Sequence, residues 1–136
     1  MKPETNLEKL LATMEPELHP GEFAFATVSS ADFEEMQAGI WGWFREPEGI
    51  TLIGERSALA ATGLETTFPC RMITLKVHSA LEAVGFLAII TAKLAAAGIS
   101  TNAISAYYHD HLFVPVGRAD DAMQVLQRMM AVSNKR

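Results

Sequence analysis

A single cysteine, Cys70, stands in a chain of 136 residues, so no intrachain disulfide can form and a reducing compartment fits. No partner for a catalytic thiol stands near it in sequence. Positive charge is scarce as well. Eleven Lys and Arg against sixteen Asp and Glu give a net charge of −5, and only Lys135-Arg136 are adjacent cations. Nucleic-acid binding, which needs clustered cations against phosphates, is not expected. Long hydrophobic runs are missing too. The longest apolar stretch, residues 83–92, is about half a membrane span and ends at Lys93. The N-terminus is polar and lacks the apolar core of a signal peptide. A cytoplasmic protein that does not engage membranes is expected. Glycine-rich phosphate loops, a Gly-x-Ser-x-Gly elbow, His-Glu-x-x-His and paired catalytic carboxylates are also absent, which argues against an enzyme.

What is present is a foldable composition. Nearly half the residues, 49%, are hydrophobic and 20% are charged, which excludes general disorder. The length suits one ordinary domain, or two very small ones sharing a core.

Thr5-Asn6-Leu7-Glu8 reads as a capping box, followed by Leu7, Leu10, Leu11 and Met14 at helical spacing. Pro16 and Pro20-Gly21 stop that helix, and the alternation of Phe23, Phe25 and Thr27 predicts a strand over 22–28. A polar connection with Ser29, Ser30 and Asp32 leads to a strand over 40–45. Glu46-Pro47-Glu48-Gly49 is a turn signal, and residues 50–53 return as the partner strand. Trp41, Trp43 and Phe44 lie in that first strand, where aromatics at period two are expected to bury on a half-covered sheet. A helix over 57–62 ends at Gly63.

The second half restarts with a strand over 71–77. Ser79-Ala80-Leu81-Glu82 reads as another capping box, opening a helix to about Ala97 and Gly98. On it, Val84, Leu87, Ala88, Thr91 and Leu94 are expected to cover a sheet. Phe86, Ile89 and Ile90 point away and call for cover from the other half or a second subunit. Residues 102–107 and 112–116 form a hairpin. A last helix from about Arg118 carries Ala122, Val125, Leu126, Met129 and Met130 inward. Leu52-Ile53-Gly54-Glu55-Arg56 and Pro115-Val116-Gly117-Arg118 form a faint internal repeat, each a strand, a glycine, a charge and then a helix, which suggests a duplication.

The strand over 73–77, the turn His78-Ser79, the helix from Leu81 and the run Ala96-Ala97-Gly98-Ile99-Ser100 together resemble an ACT domain. The run Tyr107-Tyr108-His109-Asp110-His111-Leu112-Phe113-Val114-Pro115-Val116 is the most specific part of that likeness. It is closest to the small bacterial tandem ACT-like proteins of unassigned function. The resemblance implies an α+β fold of two ferredoxin-like ACT units, 1–66 and 67–136, each an antiparallel sheet with helices packed on one face. The second unit has no strand after its last helix, so an exchanged strand is expected, with 22–28 and 71–77 the candidates. It further implies a regulatory protein that binds a small molecule, an amino acid, without catalysis of its own. A homodimer is expected because so short a chain has much apolar surface to hide, and any regulated partner is expected to be a separate protein; no cofactor and no metal are expected.

The expected ligand-binding residues are His78, Ser79, Leu81, Gly98, Ile99, Ser100, Asn102 and Asp110. The turn at His78-Ser79 would deliver a ligand carboxylate to a helix N-terminus, whose free N–H groups and dipole favour an anion. Gly98 allows close backbone approach, with Ile99 filling the core behind it. Asp110 would supply a fixed carboxylate for an amine. On an extended chain His109 and His111 share one face and Asp110 takes the other. Two histidines are too few for structural zinc, so a metal-assisted enzyme using His109-Asp110-His111 is the competing class. A dimerisation module that has lost its ligand is the third reading.

Overall fold

The computed structural model describes residues 5–36, 39–77 and 83–135. Two compact units divide the chain, residues 20–71 and residues 1–19 with 72–136.

The 20–71 unit takes most of β1 (Pro16–Val28), then α2 (Ser30–Phe33), β2 (Ile40–Glu46), β3 (Gly49–Glu55), α3 (Arg56–Ala61) and the start of β4 (Thr67–Leu75). Its strands lie in the order β2-β3-β1-β4. That is a ferredoxin-like arrangement in which consecutive strands are not all neighbours. β1 pairs antiparallel with β3, Ala26 opposite Leu52 and Val28 opposite Ile50. Those four side chains and Leu59 of α3 form the buried cluster, with Phe33, Met36, Ile40 and Leu64 packed against it. The N-terminus of α2 is capped by Ser29, whose hydroxyl accepts the Asp32 N–H at 3.2 Å. Beside the sheet, the Glu55 N–H donates to Gly39 O at 2.9 Å. Gly54 lies so close to that carbonyl that a Cβ there would collide with it.

The other unit is built from β4, α4 (Phe86–Ala96), β5 (Asn102–Ser105), β6 (Asp110–Pro115) and α5 (Ala119–Asn134), with α1 (Leu7–Thr13) and the opening residues of β1. The strand order is β1-β4-β6-β5, and β5 pairs antiparallel with β6. β1 and β4 thus each serve both units. Each is the first strand of one ferredoxin-like unit and the last strand of the other, which is why no strand is needed after α5. Ile73, Leu75, Leu112 and Val114 meet Phe86, Ile90 and Leu94 of α4, Ala122 and Leu126 of α5, and Leu10 of α1 in one buried cluster.

Several local features differ from the sequence reading. The cap of α1 is Asn6, which accepts the Lys9 N–H at 3.0 Å, so Thr5 lies one residue too early. β1 begins at Pro16 and runs through Pro20-Gly21, which do not interrupt it. α4 begins at Phe86, because Gly85 takes a left-handed φ of 90° that no helix interior can hold. That start rotates the expected faces. Phe86, Ile90 and Leu94 form the core row, spaced by four residues along the helix. Val84, expected to cover the sheet, is 86% exposed, and Ala88 is exposed as well. Only Ile89 of the predicted outer set lies off the core row, half-buried.

Candidate functional site

Residues 78–82 lie outside the described residues, and the expected site residues His78, Ser79 and Leu81 lie there with them. They belong to the connection from β4 to α4. The helix that Ser79 was expected to cap starts instead at Gly85 and Phe86.

The remaining expected residues fall into two places. α4 leaves the end of β4 and runs back along the sheet for 11 residues, roughly 16 Å at 1.5 Å per residue. Gly98, Ile99, Ser100 and Asn102 therefore sit at the far end, where Asn102 pairs with Phe113. Asp110 sits at the near end, opposite Ser105. The Gly98 loop and Asp110 therefore lie at opposite ends of the β5–β6 hairpin.

At the far end the loop is occupied with its own structure. Gly98 takes φ 75°, its N–H donates to Ala95 O at 2.9 Å, and the Ile99 N–H donates to Leu94 O at 3.0 Å. Ile99 is buried, whereas Ser100 and Asn102 are exposed. The Arg118 guanidinium donates to Gly98 O at 3.2 Å and Ala97 O at 3.1 Å, and its Nε donates to Asp121 at 3.0 Å. Sequence reasoning assigned Arg118 no such role. A long cation at the start of one helix reaching the last carbonyls of another leaves no local signature.

The near end gathers more chemistry. Asp110 shares the core-facing side of β6 with Leu112 and Val114, and it is buried at 6% exposure. On the opposite face, His111 Nδ1 lies 2.9 Å from Thr74 Oγ1. His109 Nδ1 approaches Val77 O at 3.4 Å, and the two imidazole rings are 6.5 Å apart. The alternation expected of His109-Asp110-His111 is the one observed. The hairpin turn closes through the Ala106 N–H donating to His109 O at 3.0 Å, leaving Tyr107 and Tyr108 exposed, edge to face at 4.9 Å. Burial pushes the His111 pKa below its ordinary value, the neighbouring His109 adds to that, and Asp110 opposes it. This end carries a buried carboxylate on one face of β6 and two half-buried imidazoles on the other, beside an exposed aromatic tip. Among the described residues, no group of three or more His, Cys, Asp or Glu could hold a metal ion.

Elsewhere, the Cys70 Sγ donates to Phe23 O at 3.3 Å, and burial pushes its pKa up to about 12. A thiol held protonated in this way is no nucleophile at neutral pH. The aromatics of β2 are not buried as expected: Trp41, Trp43 and Phe44 are each at least half exposed. β2 is an edge strand, and a bulge between Ile40 and Gly42 breaks the period. Trp41 packs edge-on against Phe23 at 5.3 Å, while Trp43 packs on Phe33 of α2 at 4.9 Å.

Two family models cover this fold: residues 2–71 match one ACT domain model, and residues 67–128 match a second. The chain belongs to the ACT domain family. Among solved structures, this tandem ACT protein is 44% identical to a Vibrio cholerae protein of unknown function described as a possible transport protein. That match covers 91% of this chain and 95% of the other, with a TM-score of 0.80. An Agrobacterium tumefaciens protein matches at 16% identity over 85% of this chain and 87% of its own, with a TM-score of 0.69. The ligand-free regulatory subunit of aspartate kinase from Thermus thermophilus matches at 10% identity over 87% of this chain and 97% of its own, with a TM-score of 0.66. At such low identity these last two show the fold alone. No curated protein matches the ACT chain in sequence. Among the described residues, no helix is long and apolar enough to cross a membrane.

Proposed function

We propose that this tandem ACT protein is a regulatory small-molecule binder without catalytic activity of its own, and that its ligand is an amino acid held at the hairpin end of its second ACT unit. The observation that carries the reading is Asp110, a carboxylate buried at the end of β6 beside a row of core residues. Burying a charge away from water is costly, so a buried carboxylate is retained where a cation or hydrogen-bond donors meet it. Asp110 already makes an interaction within the protein, and a ligand ammonium would join it at this end, while His78, Ser79 and Leu81 would take the ligand's carboxylate. The fold shared with regulatory subunits of aspartate kinase is in keeping with this role.

The protein would act by favouring the conformation or assembly to which the ligand binds better, and would pass that change to a separate protein in the cytoplasm. A homodimer is part of the reading. Its support is β2, an edge strand with Trp41, Trp43 and Phe44 exposed.

A thermal-shift screen of the proteinogenic amino acids tests it, since a ligand selective for the native state raises the melting temperature. Asp110→Asn should then weaken amino acids more than the matching carboxylic acids without the amine, by about 1–3 kcal/mol. Equal weakening of both ligand types, or none, would show that Asp110 serves the fold alone.

A further inference from the structure

Within the 1–19/72–136 unit, helices α1, α4 and α5 leave a groove of about 600 Å³ between them, a volume ordinary for a small-molecule site. Its walls are Leu7 and Leu11 of α1, Ile89 of α4, and Val125 and Met129 of α5. The space exists because α4 ends in small residues. Ala96 and Ala97 line the groove where longer side chains would fill it.

Two cations stand on this apolar trough, Lys93 on α4 and Arg128 on α5. Both are exposed, and among the described residues neither forms an ion pair, unlike Arg56, Lys76 and Arg118. Glu8, at the α1 edge, is already engaged with a neighbour. In a chain with a net charge of −5, two unengaged cations lining one apolar groove make a locally positive, amphipathic surface. Their aliphatic stems extend the apolar wall while the charged heads stay at the rim. The complement to that pattern is one negative head and an unbranched apolar tail.

We propose that the α1/α4/α5 groove binds a medium-chain aliphatic carboxylate, with the tail against Leu7, Leu11, Ile89 and Met129 and the carboxylate between Lys93 and Arg128. This site is separate from the hairpin end and does not depend on Asp110.

The test is calorimetric titration of the full chain with decanoate below its micelle concentration, alongside decanol and decylamine. Decanoate should bind saturably at one per chain, and the neutral and cationic probes should bind distinctly more weakly. The Lys93→Gln/Arg128→Gln pair should lose about tenfold in decanoate affinity, with the melting temperature unchanged. Ala96→Leu, at an exposed position, should block decanoate while the protein stays folded by circular dichroism. Asp110→Asn should leave decanoate binding intact, which separates this proposal from the amino-acid site. Decanoate and decanol of equal affinity, or decanoate binding untouched by Ala96→Leu, would overturn the assignment. So would a groove that takes no decanoate and whose Ala96→Leu variant converts a dimer to a monomer in light scattering, since the occupant would then be a second copy of the chain.

Discussion

His111 and Thr74 join β6 to β4 across the face of the sheet opposite the helices, with Nδ1 and Oγ1 2.9 Å apart. A neutral imidazole can accept the threonine hydroxyl proton there, whereas a protonated ring must carry a charge into a half-buried position beside His109. Folding therefore lowers the His111 pKa below its ordinary value of 6.5.

A group whose folded pKa lies below its unfolded one binds fewer protons when folded. Stability is then full above pH 6.5 and declines as the pH falls through that value toward the depressed folded pKa. Urea denaturation between pH 8 and pH 5 should show this slope, and His111→Gln should flatten it. An unchanged slope in the variant would place the acid sensitivity elsewhere.

Arg118 should be worth more than an ordinary surface cation, because its guanidinium satisfies the Ala97 and Gly98 carbonyls at the end of α4. Arg118→Ala is expected to cost about 1 kcal/mol in urea unfolding. Arg118→Lys should recover part of the loss, since a lysine keeps the charge but not the planar fork. Equal stability of all three proteins would leave the contact energetically silent.

Two glycines of the β2–β3 hairpin should respond in opposite ways. A methyl group at Gly54 would strike the Gly39 carbonyl, whereas one at Gly42 meets nothing within 4 Å. Gly54→Ala should destabilise by about 1–3 kcal/mol or more, as overpacking does. Gly42→Ala should be neutral or stabilise by about 0.5 kcal/mol through the unfolded chain. Melting temperatures measured side by side decide it.

If the exposed edge of β2 is the dimer contact, Phe44→Glu should halve the mass seen by light scattering and leave the melting of the monomer nearly unchanged. Phe44 is 71% exposed in the single chain, so the substitution disturbs little within it. A wild-type monomer, or a variant that still dimerises, rules out this edge.

The parts of the fold carried by local pattern were legible in the sequence. The alternation of β1, the Pro47–Gly49 turn, the glycine after α4 and the inward row of α5 depend on neighbours a few residues apart. Gly85 was not, because a lone glycine inside an apolar period reads as a tolerated helix residue until its φ is known. Pro16 and Pro20 misled for a related reason. Proline withholds a ladder donor, and nothing in the sequence says which strand positions can spare one. At the candidate site, the alternation of His109, Asp110 and His111 was readable. Its separation from the Gly98 loop was not, because that depends on which way α4 runs relative to β4. The partnership of Thr74 with His111 joins residues 37 apart and has no sequence signature.

The double duty of β1 and β4 bears on how the chain is made. During synthesis the first residues of β1 leave the ribosome long before the β4 residues beside which they lie, and longer still before α5, whose Asn134 donates to Ala12 O of α1 at 3.1 Å. Loops of that span close slowly, so the 1–19/72–136 unit cannot finish before α5 has emerged. No single cut in the polypeptide frees either unit whole. A segment cut from the tandem at the middle would start life a strand short.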